Sequence, residues 1–119
     1  MGAKTFEELT VWKKATQVTN GVFDATLAFP SHQRFVLVPQ MQRAAVSIPA
    51  NIVEGFGRRF PRDKARFYNI AEASANEVQY YFMLARERRF ITGQLPVESV
   101  LREVQRMLRR LTDLTLEMS

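Results

Sequence analysis

A chain of 119 residues with 46% hydrophobic content is the size of one domain and can build a core without covalent staples. It contains no cysteine, which excludes disulfides, thiolate metal sites and a cysteine nucleophile. Seventeen Lys and Arg against 12 Asp and Glu give a net charge of +5 and a pI of about 10.1, which suits a nucleic-acid partner as well as it suits well-solvated Arg-rich helices.

The segment before Leu9 has no apolar run of signal-peptide length. Nowhere do about 18 apolar residues run together, so no membrane span is expected and the protein is read as soluble and cytoplasmic. The first predicted helix runs from about Glu7 to Ala28, with Thr5 as N-cap and Glu8 completing a capping box. Val11, Trp12, Ala15, Val18, Val22, Phe23 and Phe29 recur along it at helical spacing. Phe29-Pro30-Ser31 ends it.

The second helix is predicted from the region of Phe35 to Pro39 through Gly55-Phe56-Gly57. It carries Pro49 in its interior. A proline there has no N–H for the carbonyl of Ala45 and crowds it, at a cost of about 3 kcal/mol in an ordinary helix. A chain that keeps it is expected to use a bend or a close helix contact. Leu37, Met41, Ala44, Ile48, Ile52 and Gly55 form one apolar stripe, and Val38, Ala45, Pro49, Val53 and Phe56 form a second beside it. Together they are wider than the arc of about 100° that one seam needs. The excess marks Val38, Ala45, Val53 and Phe56 as expected subunit contacts, with Tyr80 and Leu84 of the third helix beside them.

The third helix is predicted from Pro61 or Arg62 to about Phe90, with Pro61 suited to its first turn and Asp63 to the positive end of its dipole. Phe67, Ile70, Ala71, Ser74, Val78, Tyr81 and Ala85 are read as its inward stripe. After the break at Thr92-Gly93-Gln94-Leu95-Pro96, the fourth helix runs from about Val97 to Leu116. It has Val97, Val100, Leu101, Val104, Leu108, Leu111 and Thr115 on one face. No segment alternates as a strand. Short connections between four helices predict an all-α, up-down-up-down antiparallel four-helix bundle spanning residues 1–119 as one domain.

Chemistry-bearing residues are sparse. His32 is the lone histidine and falls in a predicted loop, so no metal or cofactor site is expected and no enzymatic activity is assigned. Ser47, Asn51 and Glu54 share one side of the second helix. With Glu77 they form either a polar pocket or an internal network that sets helix register, with Arg43 or Arg58 neutralising Glu54. The network is the reading adopted, because no nucleophile–base pair accompanies them. The densest charge is Arg58, Arg59, Arg62, Lys64 and Arg66 at the turn between the second and third helices, diluted only by Asp63. Such a turn projects cations toward phosphates. Arg102, Arg106, Arg109 and Arg110 offer a second surface, partly balanced by Glu103 and Asp113.

Phe6-Glu7-Glu8-Leu9-Thr10-Val11-Trp12-Lys13-Lys14-Ala15 resembles the opening of the small bacterial four-helix-bundle proteins associated with 23S ribosomal RNA intervening sequences. Phe29-Pro30, Gln40 through Arg43, and Ser47-Ile48-Pro49-Ala50-Asn51-Ile52-Val53-Glu54-Gly55 continue the pattern in order. Phe67, Ile70-Ala71, Ser74 and Glu77 match its third helix. Glu72 and Ala73 depart from it, standing where the pattern has a basic residue and a glycine. The resemblance implies a bundle that assembles into a homo-oligomeric ring, a homopentamer above all. The family is also similar in fold to an accessory protein of diversity-generating retroelements, which binds nucleic acid, although fold alone does not fix function. The expected role is RNA or RNA–protein binding through the basic surface. The alternative is a protein-interaction scaffold without a nucleic-acid role.

Overall fold

The structure, a computed structural model, describes residues 2–119. Among these residues there are four long helices and no strand: α1 Thr10–Thr26, α2 Leu37–Gly57, α3 Pro61–Glu87 and α4 Pro96–Glu117. Single 3-10 turns at Phe6–Glu8 and Ser31–Gln33 precede α1 and α2. The molecule measures 46 × 23 × 21 Å. The 27 residues of α3, at about 1.5 Å each, nearly span the long axis.

Each helix packs against two others around one core, α1 on α2 and α4, and α3 on α2 and α4. Phe82, Met41, Ile48, Ile52, Leu101 and Leu108 are the largest side chains wholly inside it. Small residues set the spacing. A Cβ added at Gly55 would stand 2.6 Å from the Tyr68 ring, and one at Gly21 would stand 2.4 Å from Val97. Only glycine permits those two approaches.

Pro49 does not interrupt α2. The carbonyl of Ala45, which the proline leaves without its helical donor, accepts a hydrogen bond from Thr19 Oγ1 on α1 at 2.8 Å. Thr19 Oγ1 also lies 3.1 Å from the carbonyl of Ala15, and its single proton is best placed for the shorter contact. The cost of the proline is therefore offset across a helix contact, as its retention among small residues predicts. Ala45 itself is fully buried. This corrects its assignment to a subunit interface: its side chain belongs to the chain's own core.

Two boundaries differ by three residues from the sequence expectation, and the others by two or fewer. The first helix starts at Thr10 rather than Glu7, because Leu9 is extended and separates it from the 3-10 turn. Thr5 makes no side-chain cap; the Glu8 carboxylate instead accepts the N–H of Lys4 at 2.7 Å. The preceding turn packs Phe6 edge-on against Trp12, with centroids 5.2 Å apart. α3 ends at Glu87 in a Schellman closure. Phe90 N–H reaches the Ala85 carbonyl at 2.8 Å, Arg89 N–H reaches that of Arg86 at 3.0 Å, and Arg89 takes φ +64°.

The inward stripe of α3 is also rotated from the expected one. Ala65, Tyr68, Ala75 and Phe82 are buried with Ala71, Ser74, Val78 and Ala85. Phe67 and Tyr81 are only partly covered, and Ile70 faces outward. At two places the expected stripe takes the wrong member of an adjacent aromatic pair, Phe67 for Tyr68 and Tyr81 for Phe82, and it passes over Ala65 and Ala75.

Candidate nucleic-acid interface

Residues 58–60 join α2 to α3. Arg58 and Phe60 are extended, and Pro61 opens α3 where its missing N–H has no helical acceptor to serve. This tight turn places five cations within a short stretch, but they do different work.

Lys64 turns back onto α2. Its ammonium donates to the carbonyl of Phe56 at 2.7 Å and lies 3.4 Å from that of Gly55. It thus satisfies carbonyls at the negative end of the α2 dipole and sits 5.5 Å above the Phe56 ring. This corrects its reading as a phosphate ligand, since its side chain is half-buried and its ammonium is turned onto the α2 carbonyls.

Arg58 and Arg66 both engage Asp63, at 3.7 and 3.0 Å, and both guanidinium carbons lie 4.4 Å from the Phe67 centroid. Arg58 also pairs with Glu54 at 3.5 Å. The two arginines are exposed and remain available at their outer edges, yet their charge is partly compensated. Arg59 and Arg62 differ. Both are exposed, and neither has an acidic partner within 4.0 Å among the described residues.

Arg62 and Arg66 line a groove of about 500 Å³ between α3 and α4, together with Arg109 and Asp113. Arg109 reaches the Glu72 carboxylate there at 3.4 Å. An adjoining groove of about 570 Å³ carries Arg106 and Arg110. Arg62 and Arg66 of the turn cluster and three of the four α4 arginines therefore line one continuous surface. Arg102 lies apart, in a hollow with Arg86 and Glu98. Sequence spacing treats these as two patches. The signal that joins them is the α3–α4 pairing, in which Gln105 bonds Asn76 and Gln79 at 3.0 and 2.8 Å.

The polar residues divide as well. Ser47 Oγ lies 2.8 Å from Ser74 Oγ, and the Asn51 amide donates to the Ser47 carbonyl and hydroxyl at 2.8 and 2.9 Å. These three residues tie α2 to α3. Glu54 instead pairs with Arg58, and Glu77 accepts the Tyr81 hydroxyl at 2.9 Å. Burial, with Glu77 beside it, pushes the Tyr81 phenol up from its ordinary range. So Glu54 and Glu77 stand outside the Ser47–Asn51 network. Ser74 completes it, a residue read from sequence only as part of the apolar stripe.

Of the expected subunit contacts, Val38, Val53 and Phe56 are half-buried on α2, Leu84 is half-buried on α3, and Tyr80 is 56% exposed. Exposed Phe23 and Val46 add apolar surface on α1 and α2. His32 is exposed in its loop, and no group of His, Asp or Glu among the described residues could hold a metal ion. No helix among the described residues is long and apolar enough to cross a membrane.

No curated protein matches the chain. A similar solved structure is a crystal structure from Bacteroides thetaiotaomicron of a protein with unknown function from the S23 ribosomal protein family. It is 25% identical, with a TM-score of 0.76 over 87% of this chain and 95% of that one. The family model for the 23S rRNA-intervening sequence protein matches residues 7–113. The chain belongs to the 23S rRNA-intervening sequence protein family.

Proposed function

We propose that this protein is a non-enzymatic, oligomeric helical bundle that binds structured RNA or an RNA–protein assembly through its α2–α3 turn. The observation that carries the reading is the state of Arg59 and Arg62. Both are exposed without an acidic partner among the described residues, Arg59 in the α2–α3 turn and Arg62 in the first turn of α3, where Arg62 and Arg66 line the groove that holds Arg109. Unpaired guanidiniums on a fixed scaffold are suited to phosphate oxygens. The link to 23S rRNA intervening sequences in the family's name agrees in sign, as does the net charge of +5.

The helices run up-down-up-down in this reading. Support comes from paired contacts whose numbers descend on one helix as they rise on its neighbour. Thr19 meets Ala45 while Thr26 meets Gln42; Ser47 meets Ser74 while Gly55 meets Tyr68. Glu72 meets Arg109 while Arg86 meets Glu98; Lys14 meets Glu103 while Gly21 meets Val97. Copies then assemble into a homopentameric ring through the α1–α2 face that carries Val53, Phe56, Phe23 and Val46. Repetition around the ring multiplies a modest phosphate affinity. A cysteine-free chain suits the reducing cytoplasm as the place of action.

The test is fluorescence anisotropy with a labelled RNA hairpin across a salt series, joined to light scattering. Affinity that falls steeply with salt and a mass several times 13.8 kDa are expected. No binding at low salt would remove the RNA reading, and a strictly monomeric mass would remove the ring.

A further inference from the structure

The end of the molecule away from the α2–α3 turn carries the two most exposed large apolar side chains among the described residues, Phe35 and Leu27. Leu27 is 84% exposed, Phe35 85% and Val36 63%, all in the connection between α1 and α2. Two hollows flank this loop. One, of about 390 Å³, is lined by Leu27, Phe29, Pro30 and Val38, with Arg34 at its edge. The other, of about 280 Å³, is lined by Val36, Leu37, Leu84 and Phe90, with Arg88 at its edge. Phe90 joins the two regions, since its ring lies 5.6 Å from that of Phe29.

The charged residues that line these hollows, Arg34 and Arg88, are both positive. Arg34, Arg88 and Arg89 are exposed, and none has an acidic partner within 4.0 Å among the described residues. Arg89 closes α3 at φ +64°, a place where glycine fits without strain. An arginine kept there holds positive charge beside Phe90 despite the backbone cost.

We propose that this tip is a protein-docking surface that takes an acidic segment with apolar anchors. The apolar side chains of the segment fill the two hollows, and its carboxylates meet Arg34, Arg88 and Arg89. An acidic peptide with apolar anchors fits better than RNA because the hollows are lined largely by aliphatic Leu27, Val36, Leu37, Val38 and Leu84, which suit apolar side chains, and Phe35 is the one strongly exposed aromatic ring of the loop. The concave hollows suit discrete side chains better than the flat surface of a bilayer does. The site is independent of the RNA reading, since it uses none of the turn arginines.

The probe is a labelled peptide of about 12 residues in which Glu and Asp alternate with Leu and Phe; a version with Lys for each acid is the control. The acidic peptide is expected to bind the parent protein. Arg34→Glu with Arg88→Glu should weaken it by about tenfold or more, as should Phe35→Ser with Val36→Ser. Arg59→Ala with Arg62→Ala should leave it unchanged, and circular dichroism should confirm that every variant folds. Equal weakening by the turn variants, or binding of the lysine peptide, would overturn the proposal. So would a tip whose variants leave the peptide bound and instead abolish RNA binding, binding to phosphatidylglycerol vesicles, or self-association.

Discussion

The middle of α2 and the turn that follows it handle their polar groups in opposite ways. Midway along the helix, Pro49 strips a donor from the Ala45 carbonyl, and Thr19 supplies another from α1. Ser47, Asn51 and Ser74 bond one another in the α2–α3 seam. No buried side-chain polar atom among the described residues lacks a partner. At the turn, Lys64 is absorbed in the same internal manner, but Arg59 and Arg62 are not. The difference separates groups that build the fold from groups left free to meet a partner. Groups whose chemistry is consumed within the chain explain the architecture, and groups left over point outward.

The contrast breaks most visibly where packing is tightest. Gly55→Val should destabilise by about 3 kcal/mol, since the new side chain meets the Tyr68 ring and the Lys64 carbonyl at once. Chemical denaturation would register it as a lowered midpoint. Thr19→Val should cost about 2 kcal/mol by leaving the Ala45 carbonyl without its donor. In a Pro49→Ala background, where residue 49 regains an N–H, most of that cost should vanish. A double-mutant cycle that shows simple additivity would refute the Thr19–Pro49 coupling.

Smaller effects refine the contrast at the turn. Lys64→Ala should cost about 1 kcal/mol through the uncapped α2 carbonyls while leaving RNA affinity nearly unchanged. Arg89→Gly should raise stability by about 1 kcal/mol, seen as a higher thermal midpoint, because the left-handed position no longer carries a Cβ. Arg59→Ala with Arg62→Ala should stay within about 0.5 kcal/mol of the parent, as these side chains touch little.

Much of the fold is legible in the sequence because apolar spacing and punctuation agree. Gly57, Pro61 and Pro96 mark breaks, and the first apolar stripe of α2 is buried as read. The orphaned Ala45 carbonyl is also readable, since a proline's missing donor is a covalent fact. Its partner is not, because Thr19 lies 26 residues away and only helix packing brings it near. The α3 stripe is misread for a related reason: Phe67 and Tyr68, and Tyr81 and Phe82, are adjacent aromatics, and only the packing of the neighbouring helices decides which of each pair faces the core. At the candidate site, composition reveals the density of cations but not their occupation. Asp63 serves two arginines, and Lys64 serves two backbone carbonyls, neither of which a residue count can express.

The most direct test of the proposed role is the salt dependence of RNA-hairpin binding, compared among the parent, Arg59→Ala with Arg62→Ala, and Lys64→Ala. The double arginine variant is expected to bind more weakly. Its slope of log affinity against log salt should be shallower by about 0.7 to 0.9 for each phosphate it no longer neutralises, while Lys64→Ala keeps the parent's slope. Equal slopes in all three proteins, or an equal reduction in both variants, would contradict the claim that the unpartnered arginines form the site.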